Sequence, residues 1–391
     1  MSNNHSRWKL KLFLFFGSSI SALVVSFLPL YFQKKGITNA QIGMFLALGT
    51  FVGLISQPTW GYLSDKFKTV KTILIICLLG VLIGVIWIFK LESLIWVFVA
   101  GSFFFFFFSA INPLSDNLSK RIADEQKVSF GSIRSWGSFG FAVISLGSGF
   151  LFTAISVEYL SIPMFLIAII AFILALGLQD AKTGTKKVNL KEIGQFFKDP
   201  TLLMFFLLVS FISMTHRTND SFVSLYLFSI GGDEMLVGWL WFIGVLSEAI
   251  LFFLSAIWFK AEHPIKYIIF AGFLYFIRWM MTAFITDPAI LLSIQVLHGV
   301  CFAILFLGAI EYLYKVVPSE MQATGHMVFM GIAFGITGII GSSLGGMIFD
   351  RFSGTALYLS MAASALTGMI GFIIFYYKER NKEVIMAIEK S

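Results

Sequence analysis

Charged side chains are scarce in this sequence. Asp, Glu, Lys and Arg together make up 13% of its 391 residues, whereas a soluble domain carries about 25%. Hydrophobic residues make up 58% of the chain, and phenylalanine alone occurs 46 times. So small a share of charge does not suit a protein that folds in water, and the composition indicates a membrane protein.

Cysteine is almost absent, and common catalytic motifs are missing. The two cysteines, Cys77 and Cys301, lie in separate hydrophobic runs without metal-ligand spacing, so neither a disulfide framework nor a zinc site is expected. The sequence contains no P-loop and no GxSxG motif, which leaves ATP-driven transport and a covalent enzyme mechanism without support. We therefore expect no cofactor, no metal and no enzymatic activity.

Long hydrophobic runs recur along the whole chain instead. Each has about the 20 residues that cross a bilayer as a helix. The runs are continuous and do not alternate with polar residues, which favours helices over barrel strands. We predict an all-α polytopic membrane protein with twelve spans, at 12–32, 42–63, 72–89, 94–114, 132–154, 160–178, 201–229, 235–259, 265–285, 289–314, 324–348 and 355–377. The first run exceeds a signal-peptide core and lacks a cleavage site, so we expect it to remain as a span.

Lys and Arg are distributed unequally between the two sets of connections. Of the 28 basic residues, 21 fall on the set that includes both termini and 4 on the opposite set. The positive-inside rule then places both termini in the cytoplasm, with the spans in the plasma membrane. The net charge of +7 is explained by this topology and needs no nucleic-acid partner.

The longest polar connection, residues 179–200, divides the spans six and six. We predict an N-terminal bundle at 1–178, a cytoplasmic linker at 179–200 and a C-terminal bundle at 201–391. Two similar bundles around a basic central loop are typical of transporters whose solute site lies between the bundles, near the middle of the membrane.

Asp116 and Arg134 stand out because each lies in a strongly apolar stretch. An ion pair inside a membrane is costly and is usually functional. Phe141 follows Arg134 by seven residues, so a cation and an aromatic ring share one helix face. The pattern fits a solute clamp, in which Arg134 donates hydrogen bonds and Phe141 covers an apolar ring face. The alternative is a purely structural salt bridge.

Carboxylates outnumber fixed cations in the predicted spans. The acids are Asp116, Asp220, Glu248 and Glu311, and the cations are Arg134, Arg217 and Arg278. Arg217 and Asp220 can neutralise each other at i,i+3 spacing, and Glu311 lies near a span end. Four acids against three cations leave one carboxylate in excess over all the spans, and a carboxylate without a partner is expected to take up a proton, as a proton-coupling site does.

Several segments carry a resemblance to a known family. Two lie in the first half of the chain, and the surroundings of Glu248, Arg278 and His298 extend the similarity through the second half. Residues 61–66, GYLSDK, resemble the loop signature of the major facilitator superfamily, although Lys68 stands where a glycine is usual. Residues 130–141, FGSIRSWGSFGF, with Asp116 upstream, are similar to the region of spans four and five in the lactose permease family and its phenylpropionate-permease relatives.

The resemblance implies a fold, a mechanism and three sets of residues. It implies two six-helix bundles and transport without a cofactor. The residues implied in substrate binding are Asp116, Arg134, Phe141 and Trp136; those in proton coupling are Glu248, Arg278 and His298; and those of the gating motif are Gly61, Asp65 and Lys66.

Three departures from the lactose permease pattern matter. Cys301 stands where that family has its coupling glutamate, Asp116 is shorter than the family's glutamate, and Phe141 has no indole N–H. His298 has an alternative role as a hydrogen-bonded core residue.

The expected function is proton-coupled symport that takes up a small organic solute by alternating access. The similarity to lactose permeases indicates a sugar or nucleoside as the solute. The similarity to phenylpropionate permeases indicates an aromatic carboxylate such as phenylpropionate. The expected partners are this solute, protons and the lipid bilayer, with the chain working as a monomer. The alternatives are a proton-coupled exporter of hydrophobic compounds and a membrane sensor or enzyme that transports nothing.

Overall fold

The computed structural model describes residues 2–180, 194, 196–318 and 321–388. Twelve of its helices are long and apolar enough to cross a bilayer, and the described residues contain no strand. They are α1 Arg7–Lys34, α2 Asn39–Lys66, α3 Val70–Lys90, α4 Leu94–Gln126, α5 Phe130–Ile155, α6 Val157–Leu176, α7 Pro200–Ser229, α8 Glu234–Phe253, α9 Pro264–Phe284, α10 Pro288–Val316, α11 Thr324–Arg351 and α12 Gly354–Arg380. The predicted all-α, twelve-span architecture is confirmed.

The helix ends follow local sequence signals. Thr38 begins α2 with a capping box, in which its hydroxyl accepts from the Gln41 N–H and the Gln41 side chain accepts from the Thr38 N–H. Asp199 and Asp233 cap α7 and α8 through their carboxylates alone, which accept from backbone N–H groups of the first turn, two for Asp199 and one for Asp233. The fourth predicted run ends at residue 114, but α4 continues to Gln126 and so carries Asp116 on a helix.

Three spans are irregular. Helix α1 is interrupted at Phe27, just before Pro29, and α10 is interrupted at Gln295. Helix α11 contains a π-helical segment, Gly331–Ile336. Of the predicted linker 179–200, residues 181–193 and 195 lie outside the described residues.

We call α1–α6 the first half and α7–α12 the second half. Within the first half, α1 packs on α5 and α6, and α4 packs on α2 and α3. Within the second half, α9 packs on α10 and α12, and α7 packs on α11 and α12. The most extensive contacts between the halves join α2 to α11 and α5 to α8.

Successive helices alternate in direction, which gives the molecule two faces. We call the one with the start of α1 and the end of α2 the N-terminal face, and the one with Lys34 and the start of α8 the Lys34 face. The halves are joined at the Lys34 face, where Lys34 Nζ lies 3.0 Å from Glu234 Oε1. Asp350, at the end of α11, accepts hydrogen bonds from the N–H groups of Asn39 (3.0 Å) and Ala40 (2.6 Å) on α2.

Candidate functional site

The predicted Asp116–Arg134 ion pair forms between α4 and α5. Arg134 Nε lies 2.6 Å from Asp116 Oδ1. The two side chains are 41% and 38% exposed, so the pair is not enclosed in the core of the first half. The surrounding side chains therefore leave both charged groups partly open.

Phe141 connects this pair to the second half. It lies one heptad from Arg134, towards the Lys34 face, and its ring centroid is 5.9 Å from that of Trp241 on α8. Trp241 is 3% exposed, and its indole N–H donates to Ser224 Oγ at 3.1 Å. The Phe141–Trp241 contact therefore forms an aromatic floor between α5 and α8.

Glu248 is on α8, between this aromatic floor and the N-terminal face. It follows Trp241 by seven residues, the same spacing that separates Arg134 from Phe141. Arg134 and Glu248 thus each lie about 10 Å along their helices from the aromatic contact, towards the N-terminal face. Glu248 interacts electrostatically with Asp220 and Arg134. Among the residues that the structure describes, it has no cation within 4.0 Å.

Trp136 is not brought to this group. It is two residues from Arg134, which at 100° per residue turns it to the far side of α5. Its ring packs against Trp8 of α1 at 5.4 Å, and Lys11 Nζ lies 5.6 Å from its centroid. The structure thus places Trp136 apart from the face that carries Arg134 and Phe141, and its role in substrate binding stays a prediction.

A second polar cluster lies inside the second half, between α7, α9 and α10. The Tyr275 hydroxyl forms a 2.9 Å hydrogen bond with His216 Nδ1. Asp220 Oδ2 lies 3.0 Å from Arg217 Nη1 and 3.6 Å from His216 Nε2. The i,i+3 neutralisation of Arg217 and Asp220 expected from the sequence is thus observed, with His216 added to it.

Arg278 and His298, two of the three residues predicted to couple protons, are in contact. Arg278 Nη2 lies 3.4 Å from His298 Nδ1 and donates to Gln295 Oε1 at 3.0 Å. Glu248 is not hydrogen-bonded to this pair; its backbone instead packs against Gly299, the neighbour of His298. Arg278 and His298 are 1% and 3% exposed.

Three residues of these groups were missed by sequence reasoning: Trp241, Tyr275 and Gln295. The spacing of Trp241 from Glu248 mirrors that of Phe141 from Arg134 and could have indicated it. Nothing in the sequence indicates Gln295, because its role depends on a break in α10 that turns its amide towards α9.

His216, Asp220 and His298 offer the ligand atoms of a possible metal site, because one such atom from each lies within 4.8 Å of the others. A guanidinium can only donate, so His298 Nδ1 must accept from Arg278, and the proton of a neutral imidazole is then on Nε2. That nitrogen has no free lone pair for a metal. Arg217 beside Asp220 adds a positive charge, and the group does not fit a cation.

The predicted gating motif lies at the N-terminal-face end of α2. Asp65 Oδ1 lies 3.7 Å from Arg121 Nη2 of α4, so its contact remains within the first half. Lys66 Nζ lies 5.8 Å from the Phe67 ring centroid. A Cβ atom built on Gly61 would have no heavy atom within 4 Å, so this glycine is not needed for close packing in this conformation.

Comparison with known proteins gives consistent matches along the chain. A family model described as the MFS_1 like family matches residues 7–360. The uncharacterized transporter YwbF of Bacillus subtilis (strain 168) is 28% identical over 96% of this chain and 94% of its own length. The maltose permease of Geobacillus stearothermophilus is 25% identical, over 90% of each chain. The probable 3-phenylpropionic acid transporter of Escherichia coli (strain K12) is 24% identical, over 89% of this chain and 92% of its own.

Solved structures agree on the fold. The crystal structure of the nucleoside transporter NupG, as a D323A mutant, superposes with a TM-score of 0.87 at 15% identity and covers 95% of this chain and 99% of its own. A bacterial homologue of the human lysosomal transporter Spinster, in an inward-facing and unoccupied conformation, gives 0.67 at 13% identity, with 97% of both chains covered. At these identities the likeness establishes the fold alone. The relatives are transporters by name, and none of those cited is an enzyme.

Proposed function

Because the chain belongs to the MFS_1-like family of the major facilitator superfamily, we propose that it is a proton-coupled symporter that takes up a small organic solute. It works in the plasma membrane with both termini in the cytoplasm, as a monomer of two six-helix bundles joined by the linker at 179–200. The observation that carries the proposal is the half-exposed Asp116–Arg134 pair on the first half, with Glu248, a carboxylate without a close cation, on the second.

Solute binding uses the pair and the aromatic floor. Arg134 has further N–H groups beyond the Nε that contacts Asp116, and a guanidinium can donate them to hydroxyl, carbonyl or carboxylate oxygens. Asp116 accepts hydrogen bonds from hydroxyl groups. Phe141 and Trp241 cover an apolar ring face below these two residues.

Proton coupling uses Glu248 together with Arg278 and His298. A carboxylate in the membrane that lacks a cation favours its protonated form, so Glu248 takes up a proton from outside before the solute-loaded chain turns inward. Loading both the proton and the solute leaves no uncompensated charge between the halves. The loaded chain can then pass through the occluded state, whereas the half-loaded chain cannot.

The contacts between the halves indicate which side of the protein is closed and which side is open. Contacts of α5 with α8 and of α2 with α11 join the halves towards the Lys34 face. In the orientation proposed above, this face is outside and the site opens to the cytoplasm. The motif Gly61–Lys66 would form its contacts across the halves in the opposite state, when the N-terminal face closes.

Two solute classes remain in the proposal. A sugar or nucleoside agrees with the hydrogen-bonding capacity of Asp116 and Arg134, and relatives named as a maltose permease and a nucleoside transporter belong to this class. An aromatic carboxylate agrees with Arg134 and the aromatic floor, and a relative is named as a probable 3-phenylpropionic acid transporter. A carboxylate solute requires that Asp116 be protonated, because the two would otherwise repel each other.

The test is the external pH of a lightly buffered, de-energised suspension of cells that express the chain. A β-galactoside, a nucleoside or an arylpropionate is added in turn, and a symporter alkalinises the medium with its own solute. Asp116→Asn should abolish the signal. Asp124→Asn is the matched control, because Asp124 is on the same helix in a surface pair with Lys120. An unchanged pH with every solute, or a full signal in Asp116→Asn, would contradict the proposal.

A further inference from the structure

Arg278 is a buried guanidinium without a counter-charge. It is 1% exposed, and no carboxylate of the described residues lies within 4.0 Å of it. The titratable groups that interact with it most strongly are Cys301, Tyr275 and Tyr358, and side chains of these types are ordinarily neutral. Asp220 interacts with it less strongly and is already paired with Arg217.

Hydrogen-bond donors are in excess around this guanidinium. Nη2 donates to Gln295 Oε1, but Nε and Nη1 have no acceptor among the described residues. The amide nitrogen of Gln295, a residue that is also 1% exposed, has no acceptor either. Buried N–H groups are nearly always hydrogen-bonded in proteins, so three donors in one place imply an acceptor that the side chains do not supply.

The charge decides what kind of acceptor this is. Water would accept hydrogen bonds from these three nitrogens, but it would leave the guanidinium charge with only the Trp279 ring, whose centroid lies 4.4 Å from Cζ, to balance it in a low-dielectric interior. An anion satisfies both requirements. Its charge must be single, because one cation is in surplus here.

Gly244 on α8 lies close to the Gln295 amide. The nearest atoms to a Cβ built on Gly244 would be Gln295 Nε2 at 3.2 Å and His298 Cδ2 at 3.4 Å. A side chain at position 244 would crowd this nitrogen, so the glycine keeps α8 from occupying the position next to it, and the nitrogen itself is buried.

We propose that Arg278 and Gln295 bind a small monovalent anion inside the second half, either a free chloride ion or the carboxylate of a solute. The anion accepts hydrogen bonds from the guanidinium and from the amide, and it serves as the counter-charge that no protein carboxylate provides. This site is distinct from the Asp116–Arg134 pair, and it does not depend on whether the protein couples transport to protons.

The test compares the apparent unfolding temperature of the purified full-length protein in different sodium salts at constant ionic strength. Gluconate, whose five hydroxyl groups an apolar interior cannot solvate, is replaced stepwise by chloride in one series and by 3-phenylpropionate in another. An anion at about 100 times its Kd raises the ratio of folded to unfolded protein about a hundredfold, and the unfolding temperature rises with it.

Variants at Cys301 show whether the effect arises at this site. Cys301→Glu supplies a protein carboxylate near Arg278, so it should unfold in gluconate at the wild-type temperature in chloride and should no longer respond to anions. Cys301→Gln, of the same size without the charge, should keep the anion dependence. Arg278→Gln removes the cation and should also be insensitive to anions, which provides a second test if Cys301→Glu does not fold.

The results distinguish the two possible anions from each other and show whether the site exists. Stabilisation by chloride identifies a free halide, and stabilisation by phenylpropionate alone identifies the carboxylate of a solute. If neither salt stabilises the wild type, or if Cys301→Glu or Arg278→Gln responds as strongly as Cys301→Gln, the site is wrong. Because transport is not measured, such a failure leaves the proton-symport proposal unaffected.

Discussion

At the scale of single residues, the carboxylates in the spans differ in whether a cation lies close to them. Asp116 has its cation at 2.6 Å, whereas Glu248 has none within 4.0 Å among the described residues. From the sequence alone, either residue could bind the solute or carry the proton. The difference in pairing is our reason for assigning solute binding to Asp116 and proton coupling to Glu248. In our proposal the ion-paired carboxylate accepts hydrogen bonds from the solute, and the carboxylate without a close cation exchanges protons.

Glu248→Gln should abolish proton-driven accumulation of the solute and should retain solute exchange. The amide fixes the side chain in a neutral state, so the halves can still reorient with bound solute but no proton travels with it. Accumulation and counterflow are measured in the same membrane vesicles. Glu311→Gln, near the end of α10 at the N-terminal face, is the control and should accumulate normally. Normal accumulation by Glu248→Gln would show that another group carries the proton.

Phe141→Ala should weaken solute binding about tenfold, because the variant removes half of the aromatic floor. The ring contacts Trp241 at 5.9 Å and leaves one side towards the Asp116–Arg134 pair. Phe139 is the matched control, since it lies two residues away on the same helix and is 56% exposed on its outer side. Binding is measured by equilibrium dialysis. Equal losses in Phe139→Ala and Phe141→Ala would mean that the floor has no part in binding.

At the scale of the elements, glycine determines how closely α5 and α8 approach. A Cβ on Gly149 would lie 2.8 Å from Glu234 O and 2.9 Å from Gly238 Cα, which is closer than side-chain carbons normally come. Both contacts are with backbone atoms that cannot rotate away. Any larger residue at position 149 must therefore separate the two helices at the Lys34 face.

Gly149→Leu should shift the protein towards a state open at the Lys34 face. Gly147→Leu is the control, because a Cβ on Gly147 would meet no heavy atom within 4 Å. The readout is the alkylation rate of a cysteine introduced at Ser145, which is 0% exposed, in a chain whose two native cysteines are replaced by alanine. Alkylation should accelerate in Gly149→Leu and not in Gly147→Leu. Identical rates in both would contradict this account.

At the scale of the whole molecule, the closed face is held by charge as well as by packing. Asp350 of the second half accepts from the Asn39 and Ala40 N–H groups at the start of α2, where the helix dipole adds a favourable interaction. This contact spans the halves and must break when the Lys34 face opens. Its strength therefore contributes to the balance between the two states.

Asp350→Asn should increase the population that is open at the Lys34 face, by a factor of about five for a loss of about 1 kcal/mol. Spin labels at Tyr159 and Phe352, which are 54% and 68% exposed at this face, report the distance between the halves. Asp287→Asn is the control, because Asp287 caps α10 within the second half through the Ala289 N–H at 2.8 Å. A distance distribution unchanged by Asp350→Asn would remove Asp350 from this role.

The sequence by itself determined the twelve spans and the pairs that are local or helix-periodic. Burial of a hydrophobic run in lipid depends on its own residues and not on its neighbours, so composition and length were sufficient. The same holds for Arg217 and Asp220, whose spacing on one helix brings them together, and for the shared face of Arg134 and Phe141.

Only the tertiary structure decided which faces meet. Trp136 lies on the same helix as Arg134 but faces Trp8, whereas Trp241, from the other half, completes the aromatic floor. Gln295 reaches Arg278 through an interruption of α10, and Glu248 remains apart from the Arg278–His298 contact. The physical reason is that helical periodicity fixes relative directions on one helix, while the rotation and depth of each helix against its neighbours depend on packing across residues far apart in sequence.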